Sequence, residues 1–197
     1  MDLGHAVRAL VTGVPHLFFG GRSPVRAGIE RIASYRLGAR EAFPLKVESP
    51  AFVLNAPIPV RYTADGEGLA PPLRWSEAPP GTRTLVLLAE DPDAPIPQPF
   101  VHWIVLMPPD VRGLGVAQDD HGPSGRTGLS SFLRAEWIGC APPPGDTVHH
   151  YHFQFFALDR ELRVGRHPGR SALLKQMKDH VIGFGELVGT YHRPEEP

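Results

Sequence analysis

The chain has little of what several large classes of protein need. It carries one cysteine, Cys140, among 197 residues. That excludes an intramolecular disulfide and suits a reducing compartment, so a cytoplasmic location is expected. No run approaches the roughly 18 consecutive apolar residues of a membrane span. The first residues lack a basic start followed by an apolar core and a cleavage site, so no signal peptide is expected. Charge of one sign is not in excess: 20 Lys and Arg face 21 Asp and Glu, a formal net charge of −1 at pH 7. No long-range field therefore recruits nucleic acid or an anionic membrane. Gly113-Leu114-Gly115 lacks the further glycine and the helix of a phosphate loop, and Ser130 and Ser131 lack a Gly-x-Ser-x-Gly elbow. There is no helical histidine pair four residues apart and no close cysteine set, so no metal or cofactor is expected. Internal repeats and low-complexity segments are absent too.

Proline (23) and glycine (21) are plentiful, between strongly apolar runs in a chain that is 42% hydrophobic and 21% charged. This composition signals many turns and extended segments rather than disorder. The expected fold is mainly β, with antiparallel sheets of Greek-key or sandwich type, a few short helices and an N-terminal helical extension. The extension is residues 1–42. Leu3, Val7, Leu10 and Val11 recur at helical spacing until Gly13 and Pro15. A second helix is predicted from an N-cap and first-turn proline at Ser23-Pro24, through Ile29, Ile32 and Leu37, to a C-cap at Gly38. Such short amphipathic helices need a surface to pack on. A homodimer through them is expected, and the arginines at 22, 26, 31, 36 and 40 make a membrane surface the second choice. Residues 43–197 form the β domain. Within it, 108–147 is a long irregular stretch, a length uncommon unless functional. Leu173, Leu174, Met177 and Val181 fit one face of a helix capped near Ser171.

Two polar clusters stand out. Leu85-Val86-Leu87-Leu88-Ala89 reads as a buried strand, leads into Asp91-Pro92-Asp93-Ala94-Pro95, and is followed by Phe100-Val101-His102-Trp103 and the apolar Ile104-Val105-Leu106-Met107. Two carboxylates thus sit at the exit of one core strand and a histidine near the start of the next. Both prolines stiffen the turn, since each fixes its own φ and biases the residue before it. Asp before Pro also starts turns with no ligand involved, which accounts for one of the carboxylates. His102 weighs towards function, because an imidazole inside a strand apolar on both faces needs a reason. The second cluster is Ala141-Pro142-Pro143-Pro144-Gly145, then His149-His150-Tyr151-His152-Phe153-Gln154-Phe155-Phe156. Strand alternation puts His149, Tyr151, Phe153 and Phe155 on one face, with His150 and His152 on the other. His149 and His150 therefore do not easily share one metal ion. Cys140 reads as a buried small hydrophobe, Trp75 and Trp103 as core, and Trp137 as a wall of the pocket.

The Asp-Pro-Asp-Ala-Pro turn, His102-Trp103, the proline-rich turn and the His-x-Tyr-x-Phe strand together resemble the phosphatidylethanolamine-binding protein family, which includes the Raf kinase inhibitor proteins. Ala70-Pro71-Pro72-Leu73-Arg74-Trp75, Pro79-Pro80-Gly81-Thr82 and Gly185-Glu186-Leu187-Val188-Gly189-Thr190-Tyr191 are similar as well. The resemblance runs from about Pro44 to Arg193 and best matches the bacterial branch. This chain has Ala70 where the family usually has Ser, Ala141 where it usually has Gly, and His150 where it often has Arg. The last change removes a permanent positive charge.

The residues alone suggest a concave site at strand ends, lined by Asp91, His102, His149 and Tyr151 and walled by Pro142 and Pro143. Asp93, His150 and Trp103 stand behind it. Imidazole donors set against a carboxylate suit a small anion. The resemblance implies a phosphate or phospholipid headgroup in that pocket, and regulation through protein partners rather than turnover. Two other readings stay open: a weak hydrolase or isomerase using the His/Asp pocket, and an inhibitor or scaffold in which the pocket is vestigial.

Overall fold

A computed structural model describes residues 25–115 and 125–195. The first predicted helix, and the Ser23-Pro24 start of the second, lie outside these residues. The described strands are β1 (Phe43–Pro44), β2 (Val47–Glu48), β3 (Leu73–Trp75), β4 (Thr84–Asp91), β5 (Phe100–Met107), β6 (Gly113–Leu114), β7 (Arg126–Thr127), β8 (His149–Leu158) and β9 (Val181–Tyr191). They form a six-stranded sheet in the order β1-β9-β8-β4-β5-β7 and a three-stranded sheet in the order β2-β3-β6. Every pairing of named strands is antiparallel except β1 with β9. The protein is mainly β, as its sequence patterning indicates.

The long strands β4, β5 and β8 sit at the centre because both of their faces are apolar. Leu85, Leu87, Trp103, Val105, Phe153 and Phe155 pack towards Val47, Leu73, Trp75 and Leu114 of the smaller sheet. On the opposite face, Val86, Leu88, Ile104, Leu106 and Phe156 meet Ala33, Ala39, Leu173 and Met177. Burying one such Leu or Phe side chain contributes about 1.5–3 kcal/mol. A strand covered on both sides reads as a continuous apolar run, which is how these strands announced themselves. At β1, Gly185 lets the parallel partner approach: a Cβ there would lie 2.2 Å from the Leu45 carbonyl oxygen.

Residues 25–42 cover the second face of the large sheet. The expected single helix over 24–37 is instead a 3-10 turn (Ile29–Arg31), α1 (Ala33–Arg36) and another 3-10 turn (Ala39–Glu41). The break is at Ile32, whose backbone is extended (φ −65°, ψ 161°) and whose side chain is fully buried. The first α1 amides are satisfied by side chains of the sheet beneath. Glu90 Oε2 accepts from Ala33 N at 2.7 Å, and Gln154 Oε1 accepts from Ser34 N at 2.7 Å. Gly38 is left-handed (φ 62°), as a helix-ending glycine should be. The boundary expected at residue 42 thus falls inside a packed layer.

One further expectation is corrected. The helix near the C-terminal end is α2 (Arg170–Met177), with Leu173 and Met177 buried. Val181 is not on it. Asp179 takes a left-handed conformation (φ 64°), which turns the chain so that Val181 begins β9.

Candidate functional site

The residues singled out above meet where β4, β5 and β8 end together. Asp91 closes β4, and its two carboxylate oxygens do separate jobs. Oδ1 accepts the amides of Asp93 (2.7 Å) and Ala94 (3.1 Å), the local turn that an Asp-Pro pair favours. Oδ2 is turned inward and bonds His149 Nδ1 at 2.8 Å. One residue thus both builds the turn and holds a neighbouring histidine. Asp93 pins the start of β8 to the same turn: its Oδ2 accepts the His150 amide at 2.9 Å and lies 2.8 Å from His150 Nδ1.

His102 reaches the site through a β-bulge. In the β4–β5 ladder Ala89 faces Trp103 while the next residue, Glu90, faces Val101, so His102 is the extra residue. The bulge shifts the alternation. Trp103, Val105 and Met107 belong to one core, Val101, Ile104 and Leu106 to the other. His102 lies on the side of Trp103, with its ring 5.0 Å from Tyr151 and 5.7 Å from Trp137. Re-aiming a side chain is what bulges near sites do. His102 Nδ1 is 2.7 Å from the Ile138 carbonyl, which can only accept, so Nδ1 carries the proton. Nε2 of neutral His102 is then a hydrogen-bond acceptor. Burial lowers the His102 pKa, partly opposed by the Asp91 charge and the Ile138 carbonyl, so the neutral form is favoured.

His149 differs. Its Nε2 lies 3.2 Å from Asp146 Oδ2, while its Nδ1 is on Asp91. Both partners are carboxylates, and no neutral tautomer donates from both nitrogens. The geometry therefore describes an imidazolium between two carboxylates. Burial pulls the His149 pKa down, but the hydrogen bonds and charges of Asp91 and Asp146 outweigh it, and the net shift is upward. Burial likewise raises Asp146, and hydrogen bonds from His149, the Thr147 amide and Arg26 reverse it, so its carboxyl sits below the usual range.

The site is closed over rather than concave. The side chains of His149 and Asp91 are only 2% and 4% exposed. Asp146 and Arg26 account for the closure: the Arg26 guanidinium bonds both the Asp146 carboxylate and the Asp93 backbone carbonyl. Tyr151 is buried beneath, and its hydroxyl has no hydrogen-bond partner among the described residues. Burial, with Cys140 and Asp91 as neighbours, raises the Tyr151 pKa far above its ordinary value, so the hydroxyl stays protonated. Burial also pushes the Cys140 thiol up, as expected for a buried hydrophobe.

Of the expected walls, Pro142 is buried and Pro143 is exposed. Trp103 lies in the core, edge-on to Trp137 at 5.9 Å. His150 is half exposed on the outer side of β8 and bonded to Asp93, so it does not replace the arginine usual beside the tyrosine. Ser130 and Ser131 hold loop backbone, accepting from Arg134 N at 3.2 Å and Val101 N at 2.9 Å. Sequence reasoning missed Arg26 and Asp146. Asp146, three residues before His149 and just after the proline-rich turn, was visible as a neighbour. Arg26 is 120 residues away, with no local signal.

The family profile for phosphatidylethanolamine-binding protein matches residues 48–192. A UPF0098 protein of Pyrococcus horikoshii is 38% identical over 161 residues, 79% of this chain and 80% of its own length. The crystal structure of a phosphatidylethanolamine-binding protein homologue from Chlamydia trachomatis superposes with a TM-score of 0.68 at 34% identity, covering 77% of this chain and 99% of that one. YbcL of E. coli, described as a member of the mammalian family, gives a TM-score of 0.67 at 26% identity and covers 75% and 98%. The chain belongs to the phosphatidylethanolamine-binding protein family and is of its bacterial type.

Proposed function

We propose that the protein binds a small phosphate-bearing ligand, free or as a phospholipid headgroup, at the His149 site, and acts through a protein partner rather than by turnover. The observation that carries this reading is that both ring nitrogens of His149 lie on carboxylates, which favours its charged form. Its inner nitrogen is committed to Asp91, and its outer N–H already holds an anionic group, the carboxylate of Asp146. A buried cationic donor with an ionised partner behind it suits oxyanion recognition. His102 Nε2 and Asp91 add acceptors, which suit an N–H or O–H on the same ligand, as in an ethanolamine headgroup. Membership of the family supports a ligand-binding role in general.

Titration calorimetry of the full chain with inorganic phosphate and phosphoethanolamine tests the proposal. His149→Ala is expected to weaken binding by about 1.5 kcal/mol or more, the scale of a charge-assisted hydrogen bond. Equal affinity in variant and parent would overturn it. Turnover of generic esters and phosphoesters, lost in the same variant, would favour acid–base chemistry by the Asp91–His149 pair.

A further inference from the structure

We infer that Asp146 occupies the place of the ligand's anionic group, and that binding exchanges its carboxylate for that group on His149 Nε2 and on the Arg26 guanidinium. Arg26 is then a ligand-contacting residue that the chain supplies from its N-terminal segment. The inference rests on the function proposed above and names two residues that set its affinity.

Three observations converge on it. First, the Asp146 carboxylate touches His149 Nε2 with one oxygen and Arg26 with the other, as a bound oxyanion would bridge two donors. Second, Asp146 is on a turn and not within a strand. It is partly exposed (17%) beside a histidine that is almost fully buried, so it can swing outward without disturbing the sheet. Third, beneath this layer is a buried tyrosine hydroxyl with no partner among the described residues. A buried hydroxyl left unpaired is unfavourable, so a polar ligand group brought within its reach, beside the Cys140 thiol, would be stabilised.

Arg26 also repairs a deficit seen in the sequence. The residue beside Tyr151 is histidine, and His150 turns away to Asp93. Arg26, held over the mouth by the Asp93 carbonyl, supplies a permanent cation from elsewhere in the chain. The charged groups facing His149 are Asp91 from β4, Asp146 from the turn before β8, and Arg26. His102, near His149, and Cys140 and Tyr151, near Asp91, are pushed towards their neutral forms by burial. With His149 protonated, two positive and two negative charges balance. Removing the Asp146 charge leaves the site net positive with both outer donors free.

The test is phosphate binding by the full chain at pH 7, measured by calorimetry and by the ring resonances of His149. Asp146→Asn is expected to bind inorganic phosphate about tenfold more tightly than the parent, and Asp146→Ser serves if the first variant folds poorly. In the Asp146→Asn background, Arg26→Gln should lose most of that gain and His149→Gln should abolish binding. In the parent, phosphate should shift the His149 Nε2 resonance as Asp146 departs. Glycerophosphoethanolamine run beside phosphate separates the sources: preference for the diester indicates a lipid headgroup, preference for phosphate a free ligand, and either supports the exchange. If the parent binds through His149 and Asp146→Asn binds no better, the exchange is overturned and the site stands. If neither parent nor Asp146→Asn binds either probe, the proposed function falls and the exchange with it.

Discussion

At the residue scale, the two histidines of the site are pushed in opposite directions by their surroundings. His102 donates to a backbone carbonyl and is buried, so its charged form is disfavoured. His149 lies between two carboxylates, so its charged form is favoured. Nitrogen-detected NMR titration is expected to place His149 above the ordinary value of about 6.5 and His102 below it. The sign for stability follows. A raised histidine stabilises the fold fully below its unfolded pKa, and that contribution is lost as pH rises through the folded pKa. His102 works the other way, destabilising the fold as pH falls below about 6.5. Anion affinity should track His149. Sulfate, whose charge is constant over the range, is expected to bind evenly around pH 6 and to weaken as pH rises through the His149 pKa. A titration with no such loss would mean that His149 is not the donor.

At the element scale, one buried carboxylate ties four segments together. Glu90 of β4 is fully buried and accepts from the Ala33 amide, from Gln154 Nε2 of β8 at 2.6 Å and from Arg170 at the start of α2. Arg170 also donates to the Arg31 carbonyl. Removing one partner of a buried pair strands the other charge, so Arg170→Ala is expected to lower stability by roughly 3–5 kcal/mol in chemical denaturation. Replacing both groups by Glu90→Leu and Arg170→Met should be much milder. A loss under about 1 kcal/mol for the single change would show that water solvates Glu90 and that the pair is not structural. This junction was not legible in the sequence. Glu90 is one carboxylate at the end of an apolar run, and its partners are 57, 64 and 80 residues away. The strands were legible, since Leu85–Ala89, Ile104–Met107 and Phe155–Leu158 are apolar on both faces. The carboxylate–imidazole pair at their mouth could be read from strand-end position. The bulge at His102 could not, because a one-residue shift in register depends on how two strands pair. The helix over 24–37 failed for a related reason: Ile32 gains more from reaching the sheet than from continuing the helix.

At the scale of the whole molecule, the large sheet is a middle layer. One face is roofed by the small sheet and the other by residues 25–42 and α2. A chain beginning at residue 43 would lose Ala33 and Ala39 from this face, leaving α2 as its remaining helical cover and part of its apolar surface open, which soluble proteins rarely tolerate. Such a chain is expected to be lost from the soluble fraction, whereas one beginning at residue 25 should be recovered with native β-type circular dichroism. Soluble, cooperatively folding protein from the shorter chain would show that residues 25–42 are dispensable to the fold.

The path of residues 25–31 has a mechanical side. The hydrogen bonds of residues 26–28 to the rest of the protein are to the rim of the site, Gly28 N donating to the Pro92 carbonyl and Arg26 to Asp93 and Asp146, while Arg31 donates to the Pro97 carbonyl and accepts from Arg170 of α2. Tension arriving through the chain ahead of Val25 is therefore borne first by these few bonds, one after another. The ladders of β4, β8 and β9, which would have to shear many bonds at once, are loaded only afterwards. A weak pull from that end would peel Arg26 from the rim while the sheet stayed intact, so whatever is tethered upstream could act on the rim without unfolding anything.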